Sequence, residues 1–360
     1  MKKFFFYLAD CFTTIKLRLR RMSTLVVGIP IFIVGTLLLS VIPFSKSGRP
    51  VSSVHSMSPR QFKKFVLLCD LVPLWFKNAT LIFTLLSIFQ LGYSQKNQRY
   101  KIGLIDLMLL KRQKLGAIPL TKQIGADGIE VDMGGLGNRR TFDNQLLVDS
   151  VRKQFLDKAK ELNIEIFSFA MTGYYAQSFC NREEYKRSIE DCITTMKLMN
   201  VKTAFLPLGV QCDLKKNPSV RDSVVARLKV AGKIAEQAAV IIGIETALSA
   251  KEEVELLKEI NSPAIKIYFN FSNPLKERRD LITELKTLGR DRICMIHATN
   301  KDSVWLENDP QIDMYKVKKT LDEMGWSGWL VIERSRDAKK PSDVKENYGA
   351  NTAYLKKVFQ

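Results

Sequence analysis

The amino-acid sequence predicts an α/β fold in which a (β/α)8 TIM barrel follows an N-terminal hydrophobic region. Short apolar runs rich in β-branched residues alternate with amphipathic segments from residue 100 to the C-terminus. Eight such runs occur, about twenty to forty residues apart, which leaves room for a crossover helix between successive parallel strands. The runs are apolar on successive residues rather than on alternate ones, as expected for strands that are buried on both faces.

The predicted strands follow one another along the second part of the chain. They are Lys101–Leu107, Gly128–Met133, Glu165–Phe169, Thr203–Leu208, Ile241–Thr246, Lys266–Phe271, Arg292–Ala298 and Trp329–Glu333. A doubly wound open sheet is the alternative, but it usually has fewer strands and a glycine-rich first turn. The first predicted strand is not followed by such a turn, so the barrel is favoured.

The segments between the strands are predicted to be helices because their apolar residues recur at helical spacing. Ser249 followed by Glu252, and Asn181 followed by Glu184, are N-terminal capping signals. A helix over residues 313–324 is expected to end at the next residue, which is a glycine.

The positive charge of the chain is unevenly distributed. The first 94 residues contain 12 Lys/Arg and 2 Asp/Glu, a net charge of +10. The remaining 266 residues contain 44 Lys/Arg and 35 Asp/Glu, a net charge of +9. In this second part the basic residues are interspersed with acidic ones rather than clustered into a stripe. We therefore expect no nucleic-acid partner.

The N-terminal region contains two apolar runs. Residues 23–44 form an uncharged run long enough to cross a bilayer, and the basic residues before it would keep its start in the cytoplasm. The second run, Ala79–Phe89, also follows basic residues. It leads to Gly92 and Ser94, the layout of a secretory signal peptide that is cleaved before Gln95.

The two runs conflict, because a span over residues 23–44 would place the basic segment after it outside the cytoplasm. The conflict disappears if translation begins at Met57, which leaves a signal-peptide-like segment over residues 57–94. Residues 1–56 are then an upstream extension, and a double-spanning anchor is the alternative. In both cases we expect residues 95–360 to be extracytoplasmic, either periplasmic or secreted after cleavage, or anchored to the membrane by a retained N-terminal region.

Cysteine and histidine usage limits the kinds of metal site. The six cysteines form no C-x-x-C pair, so they indicate neither a disulfide framework nor a cysteine-based zinc site. The chain has two histidines, His55 and His297, and only His297 lies in the predicted barrel.

Polar side chains end the predicted strands, where a barrel places its active site. They are Glu130 and Asp132 from the second strand, Glu245 from the fifth, Asn270 and Asn273 from the sixth, His297 from the seventh, and Glu333 and Arg336 from the eighth. Each has a structural alternative, namely an ion pair, a hydrogen bond or a turn. Four consecutive strands that each end in a potential ligand instead favour a divalent metal, either Mn²⁺, Mg²⁺, Co²⁺ or Zn²⁺.

The motifs IGIET, YFNFSN, MIHATNKD and VIERSRD resemble the sugar phosphate isomerase/epimerase family of xylose-isomerase-like TIM barrels, and GADGIEVDMGG is similar to its second-strand motif. The resemblance extends from Tyr100 to the C-terminus. It implies a divalent cation with four ligands: Glu245, Asn270, His297 and Glu333. Asn270 departs from the family, which usually has Asp here, and a neutral amide implies weaker metal binding. Asn273 stands where the epimerases often have His.

The resemblance implies a metal-dependent isomerase or epimerase acting on a sugar or keto-sugar. The cation would stabilise an enediolate, while Glu245 and Glu333 on its opposite faces remove and return the proton next to the carbonyl. The candidate substrate-binding residues are Glu130, Asp132, Asn273, Lys301 and Arg336. Trp305, Tyr174 and Tyr175 are candidates for stacking on a sugar ring, with packing as the alternative.

Other functions of the same barrel stay open. One is lyase or hydratase chemistry on a keto-glycoside, and another is a non-catalytic sugar-binding barrel, which the neutral Asn270 allows. A phosphodiesterase of the apurinic endonuclease type would need several histidines, and His297 alone argues against it. The expected partner is a small-molecule sugar, and assembly into a homo-oligomer is left open.

Overall fold

The computed structural model describes residues 99–209 and 212–360, and these residues form a closed barrel of eight parallel strands in sequence order. This confirms the predicted fold class. The strands are β1 Tyr100–Ile105, β2 Gly128–Asp132, β3 Glu165–Ala170, β4 Thr203–Pro207, β5 Ile241–Glu245, β6 Ile265–Asn270, β7 Ile293–His297 and β8 Gly328–Ile332. Each matches one predicted strand to within one or two residues at either end.

Helices surround the barrel and connect its strands. They are α1 Ala117–Ile124, α2 Asp149–Leu162, α3 Tyr185–Met199, α4 Arg221–Ala238, α5 Ala250–Ile260, α6 Ser272–Lys276, α7 Leu281–Leu288, α8 Met314–Met324 and α9 Val344–Phe359. A continuous apolar core lies between the outer face of the sheet and the inner faces of these helices. This is the expected two-layer arrangement of a parallel barrel.

Most of the predicted helix ends agree with the structure. Ser249 and Glu252 form the predicted capping box at the start of α5. Gly325 ends α8 in the left-handed conformation, with φ of +70°. The predicted cap at Asn181 is wrong, because α3 begins four residues later, at Tyr185, and Glu184 makes no side-chain cap bond.

The interior of the barrel is closed by stacked aromatic rings. Phe167 and Trp329 lie parallel with their centroids 4.0 Å apart. Glycines on neighbouring strands make room for them: a Cβ on Gly103 would lie 2.4 Å from the Phe167 ring, and one on Gly128 would lie 2.6 Å from Trp329. The interior of the barrel is therefore a packed core below the site.

A disulfide joins two loops at that end of the barrel. Cys180, after β3, is bonded to Cys212, after β4, and their Cα atoms lie 5.9 Å apart. This corrects the expectation from cysteine spacing. The two residues are 32 positions apart in sequence, and only the neighbouring positions of β3 and β4 in the barrel bring them together.

The predictions for the N-terminal region lie outside the described residues. They concern the apolar run 23–44, the extension 1–56 and the signal-peptide-like segment 57–94. Within residues 99–209 and 212–360, no helix is long and apolar enough to cross a membrane.

Candidate active site

Four polar side chains from adjacent strands meet at the carboxyl end of the barrel. Glu245, Asn270 and His297 are the last residues of β5, β6 and β7, and Glu333 directly follows β8. His297 Nδ1 lies 3.0 Å from Glu245 Oε2 and 4.0 Å from Glu333 Oε2. Asn270 Nδ2 donates to Glu333 Oε2 at 3.1 Å and to Glu245 Oε2 at 3.3 Å. The structure therefore places the four predicted site residues in mutual contact.

The strand register and the packing beneath the site hold His297 in place. It pairs across the sheet with Asn270 on one side and Val331 on the other. Its ring stacks on Tyr268, with centroids 4.3 Å apart, and meets the edge of Phe205 at 4.9 Å. The imidazole is fully buried, and its Nδ1 faces the two carboxylates.

The side-chain amide of Asn270 has a defined orientation. Its Oδ1 accepts hydrogen bonds from the backbone N–H of Ser272 at 2.9 Å and from the Ser272 hydroxyl at 2.8 Å. A backbone N–H can only donate, so the oxygen must face Ser272 and the NH₂ group must face the carboxylates. The amide therefore presents protons, not lone pairs, to Glu245 and Glu333.

This arrangement does not fit the predicted divalent cation. A metal ligand must offer a lone pair, and Asn270 offers N–H groups. Among the residues that the structure describes, no group of three or more His, Cys, Asp or Glu side chains is arranged to hold a metal ion. The four-ligand metal site stays a prediction that this donor set does not favour, and we derive no chemical step through a metal.

The electrostatics of the site favour a charged imidazole beside the two glutamates. Burial opposes protonation of His297, but the hydrogen bond to Glu245 and the charges of Glu333 and Glu245 raise its pKa to about 9. Burial also raises the pKa of Glu333, and the charge of His297 counteracts this effect. The imidazolium thus compensates negative charge that burial would otherwise make costly.

Glu333 is positioned by neighbouring groups that the sequence analysis did not identify. The Thr299 hydroxyl accepts hydrogen bonds from the backbone N–H groups of Glu333 at 3.4 Å and Arg334 at 3.2 Å. The Tyr348 hydroxyl, from α9, donates to the Glu333 carbonyl at 3.0 Å. Both residues are remote in sequence from Glu333, which is why no local pattern pointed to them.

The two acidic residues of β2 have different positions. Glu130 lies inside the barrel, where it accepts a hydrogen bond from Tyr268 at 3.1 Å and burial raises its pKa to about 7. Asp132 is also buried, but it pairs with Arg112 Nε at 2.9 Å and accepts from Gly134 N–H at 2.7 Å. Asp132 therefore stabilises the loops at the mouth, whereas Glu130 lies beneath the site.

Asp106, at the end of β1, was missed by the sequence analysis. It is fully buried and accepts hydrogen bonds from the backbone N–H groups of Asp132 at 2.9 Å and Gln113 at 2.8 Å. Burial and the neighbouring Asp132 raise the pKa of Asp106 well above its usual range. An acidic residue after the apolar run of β1 was the available signal, but the predicted strand extended past it.

The remaining predicted substrate-binding residues lie in the loops around the site. Asn273, on α6, donates to the Thr246 carbonyl at 2.8 Å and approaches Glu245 Oε1 at 3.4 Å, so it helps to orient Glu245. Lys301 is exposed in the loop after β7. Arg336 forms a bidentate ion pair with Asp302, with distances of 3.1 and 2.6 Å, and this pair joins the loops after β7 and β8.

The three aromatic candidates also differ in position. Tyr174 is fully buried in the core, and the Trp305 indole donates to Asn347 at 2.9 Å. Tyr175 is half-buried, and burial together with the charges of Glu245 and other carboxylates raises its pKa well above the usual value. Of the two tyrosine candidates, Tyr175 is therefore the one whose pKa these carboxylates raise.

The fold is a closed parallel (β/α)8 barrel with polar residues at its strand ends, and the family follows from sequence comparison. Residues 118–358 match the Xylose isomerase-like TIM barrel family, and the chain belongs to this family. The resemblance inferred from the sequence motifs is thus confirmed. No curated protein matches the chain.

Several solved structures share the fold at low sequence identity. A 3-keto-D-glucoside 4-epimerase from E. coli is 18% identical, with a TM-score of 0.58 over 72% of this chain and 99% of that chain. A sugar phosphate isomerase/epimerase from Parabacteroides distasonis is 14% identical, with a TM-score of 0.56 over 74% of this chain and 97% of that chain. A probable 3-DHS dehydratase from Bacillus anthracis is 15% identical, with a TM-score of 0.56 over 71% of this chain and 98% of that chain. At these identities the likeness concerns the fold.

Proposed function

We propose that the protein is a sugar isomerase or epimerase that transfers a proton at the carbon next to the carbonyl group of a keto-sugar. The observation that carries this proposal is the pair of carboxylates, Glu245 and Glu333, that flank the Asn270 amide at the carboxyl end of the barrel. A pure binding site has no need of two converging carboxylates, whereas reversible proton transfer requires an acid and a base.

In the proposed reaction one carboxylate removes the proton and the other supplies one. The C–H bond breaks, its electron pair forms the carbon–carbon double bond of an enediolate, and the carbonyl electrons move to oxygen. The electrons on oxygen then re-form a carbonyl group, while the electron pair of the double bond forms a new C–H bond with the proton from the other carboxylate. We assign the acid role to Glu333, because burial raises its pKa and favours its protonated form. Glu245 is the base, oriented by His297 at 3.0 Å and Asn273 at 3.4 Å.

Protein groups at the mouth would bind the sugar and stabilise the developing oxyanion. Tyr175 is the proposed hydrogen-bond donor, since it is half-buried beside the carboxylates. Lys301 is an exposed cation on the loop after β7 and is the proposed contact for the outer hydroxyl groups. The sequence also predicted a divalent cation, but the donor set does not favour it, so each step is assigned to protein groups.

A keto-glycoside is the substrate class that we favour, because the E. coli protein of similar fold is a 3-keto-D-glucoside 4-epimerase. A second candidate is dehydration, in which removal of the same proton is followed by loss of a hydroxyl group from the next carbon. The dehydratase among the proteins of similar fold supports this alternative. Both reactions begin with the same proton abstraction.

The test is proton exchange in heavy water. The purified full chain would be incubated with ketoses and 3-keto-glycosides in D₂O, and the products followed by NMR and mass spectrometry. We expect deuterium at the carbon next to the carbonyl, and loss of water from the product would identify the dehydratase instead. Glu245→Gln and Glu333→Gln should each reduce exchange by roughly 10²–10⁴-fold, whereas Glu323→Gln, an exposed change on α8, should not. Wild-type exchange in both site variants would refute the proposal.

We also propose an extracytoplasmic location. The N-terminal apolar runs support it, and so does the disulfide between Cys180 and Cys212, since disulfides persist in oxidising compartments. N-terminal sequencing of the exported protein tests the proposal, and Gln95 is the expected first residue. A cytoplasmic protein that retains Met1 would contradict it. Membrane contact through the N-terminal region and assembly into a homo-oligomer stay predictions.

A further inference from the structure

We infer that this site has replaced the metal ion of its family with hydrogen-bond donors, so that Asn270 and His297 hold Glu245 and Glu333 without a divalent cation. The inference deepens the proposed function, because it states how the same two carboxylates are held during proton transfer. Its first test measures metal binding and does not depend on any activity.

The position of the Asn270 nitrogen carries the inference. Nδ2 lies between the two carboxylates, 3.3 Å from Glu245 Oε2 and 3.1 Å from Glu333 Oε2, and donates to both. His297 Nδ1 faces the same Glu245 oxygen at 3.0 Å. A cation at this point would need lone pairs from all of its neighbours, and it would meet the amide protons instead.

The backbone prevents the amide from turning its oxygen to this point. The chain changes direction after Asn270, where β6 ends and α6 begins, and the N–H of Ser272 then points back at Asn270 Oδ1. This is the hydrogen bond of an Asx turn, from the side-chain oxygen to the residue two positions later. Turning the amide would set its NH₂ group against the Ser272 N–H, although the Ser272 hydroxyl could then accept a hydrogen bond from that group. The Ser272 N–H would be left without an acceptor in a partly buried place, where an unpaired donor is costly.

An aspartate would behave differently at the same position. One carboxylate oxygen would keep the bond to Ser272, and the other would occupy the place of Nδ2 and face Glu245 and Glu333. The difference between a hydrogen-bonded centre and a metal centre is therefore a single atom of the residue 270 side chain. Asn270→Asp therefore converts the hydrogen-bonded centre into a metal centre without a change in the shape of the side chain.

The experiment compares Mn²⁺ binding by the full chain before and after this change. After treatment with a chelator, each protein is titrated with Mn²⁺ by calorimetry, and its thermal unfolding is followed with and without the ion. We expect no binding and no shift in Tm for the wild type. Asn270→Asp should bind one Mn²⁺ per chain, with an affinity at least on the order of 100-fold above the weakest binding that the wild-type titration could detect. Its Tm should be lowered in chelator, because three carboxylates then converge, and restored by Mn²⁺.

Asn273→Asp is the matched control. It adds the same charge close to Glu245, but on the side that faces the Thr246 carbonyl rather than Glu333 and His297. We expect no Mn²⁺ binding by this variant, and binding equal to that of Asn270→Asp would overturn the role assigned to residue 270. Tight binding of one Mn²⁺ by the wild type, weakened in Glu333→Gln, would overturn the inference directly, even if Asn270→Asp did not fold.

The metal titration separates this inference from the proposed function. If the wild type binds no Mn²⁺ and exchanges no sugar proton, the metal-free centre stands and the proposed activity fails. If exchange occurs, it should be unchanged by the chelator. Loss of exchange in chelator together with Mn²⁺ binding would refute the metal-free centre and leave the proton transfer intact.

Discussion

Replacement of Glu253 by glutamine should change how the stability of the protein depends on pH. Glu253 lies on α5 and is almost completely buried, and it accepts a hydrogen bond from the Thr246 hydroxyl at 2.6 Å. Burial raises its pKa from 4.5 to about 8, against the lowering effect of the Thr246 hydroxyl. Glutamine has nearly the same shape, and its amide oxygen can accept the same hydrogen bond.

The direction of the effect follows from proton linkage. Between pH 4.5 and about 8 the folded protein keeps a proton that the unfolded chain has released. The contribution of Glu253 to stability is therefore full below pH 4.5 and is lost as the pH rises through 8. The loss amounts to roughly 5 kcal/mol at 1.36 kcal/mol per pKa unit. Glu253→Gln shows no such loss, because glutamine does not titrate.

The assay is urea unfolding of the full chain, followed by circular dichroism, at about pH 5 and about pH 9. The unfolding free energies of wild type and Glu253→Gln should be similar at the lower pH, and the variant should be more stable by several kcal/mol at the higher pH. Glu255→Gln, an exposed change on the same helix, should follow the wild type at both values. A difference between wild type and Glu253→Gln that does not change with pH would refute the reasoning.

Two further predictions concern the framework. Cys212→Ser removes the bond to Cys180, which closes a loop of 32 residues. The variant should lower the unfolding free energy by about 2–4 kcal/mol. If adding reductant to the wild type leaves its urea midpoint unchanged, the disulfide is absent. Gly128→Ala places a Cβ 2.5 Å from the Glu165 carbonyl oxygen and should destabilise by about 1–3 kcal/mol. Gly349→Ala adds a Cβ in open space on α9 and should raise the unfolding free energy by about 0.5–1 kcal/mol. If both glycine variants changed the unfolding free energy in the same direction, the packing described for β2 would be contradicted.

The strands and the residues at their ends were predictable because each depends on a short stretch of sequence. A parallel strand buried on both faces needs an apolar run, and Ile241–Ile244 before Glu245 and Ile293–Ile296 before His297 are such runs. A closed parallel barrel brings all its strand ends to one face. The sequence therefore determined that Glu245, Asn270, His297 and Glu333 would meet.

The chemistry of that meeting depended on tertiary structure. Asn270 was predicted to offer an oxygen to a metal, but the turn into α6 points the Ser272 N–H at that oxygen and leaves the NH₂ group for the carboxylates. The disulfide between Cys180 and Cys212 likewise depends on two loops that meet only in the closed barrel. Sequence patterns by themselves determined that the four strand-end residues would come together. Only the folded backbone decided which atoms of those residues face one another, because hydrogen-bond direction is set by groups that are distant along the chain or by the exact path of a turn.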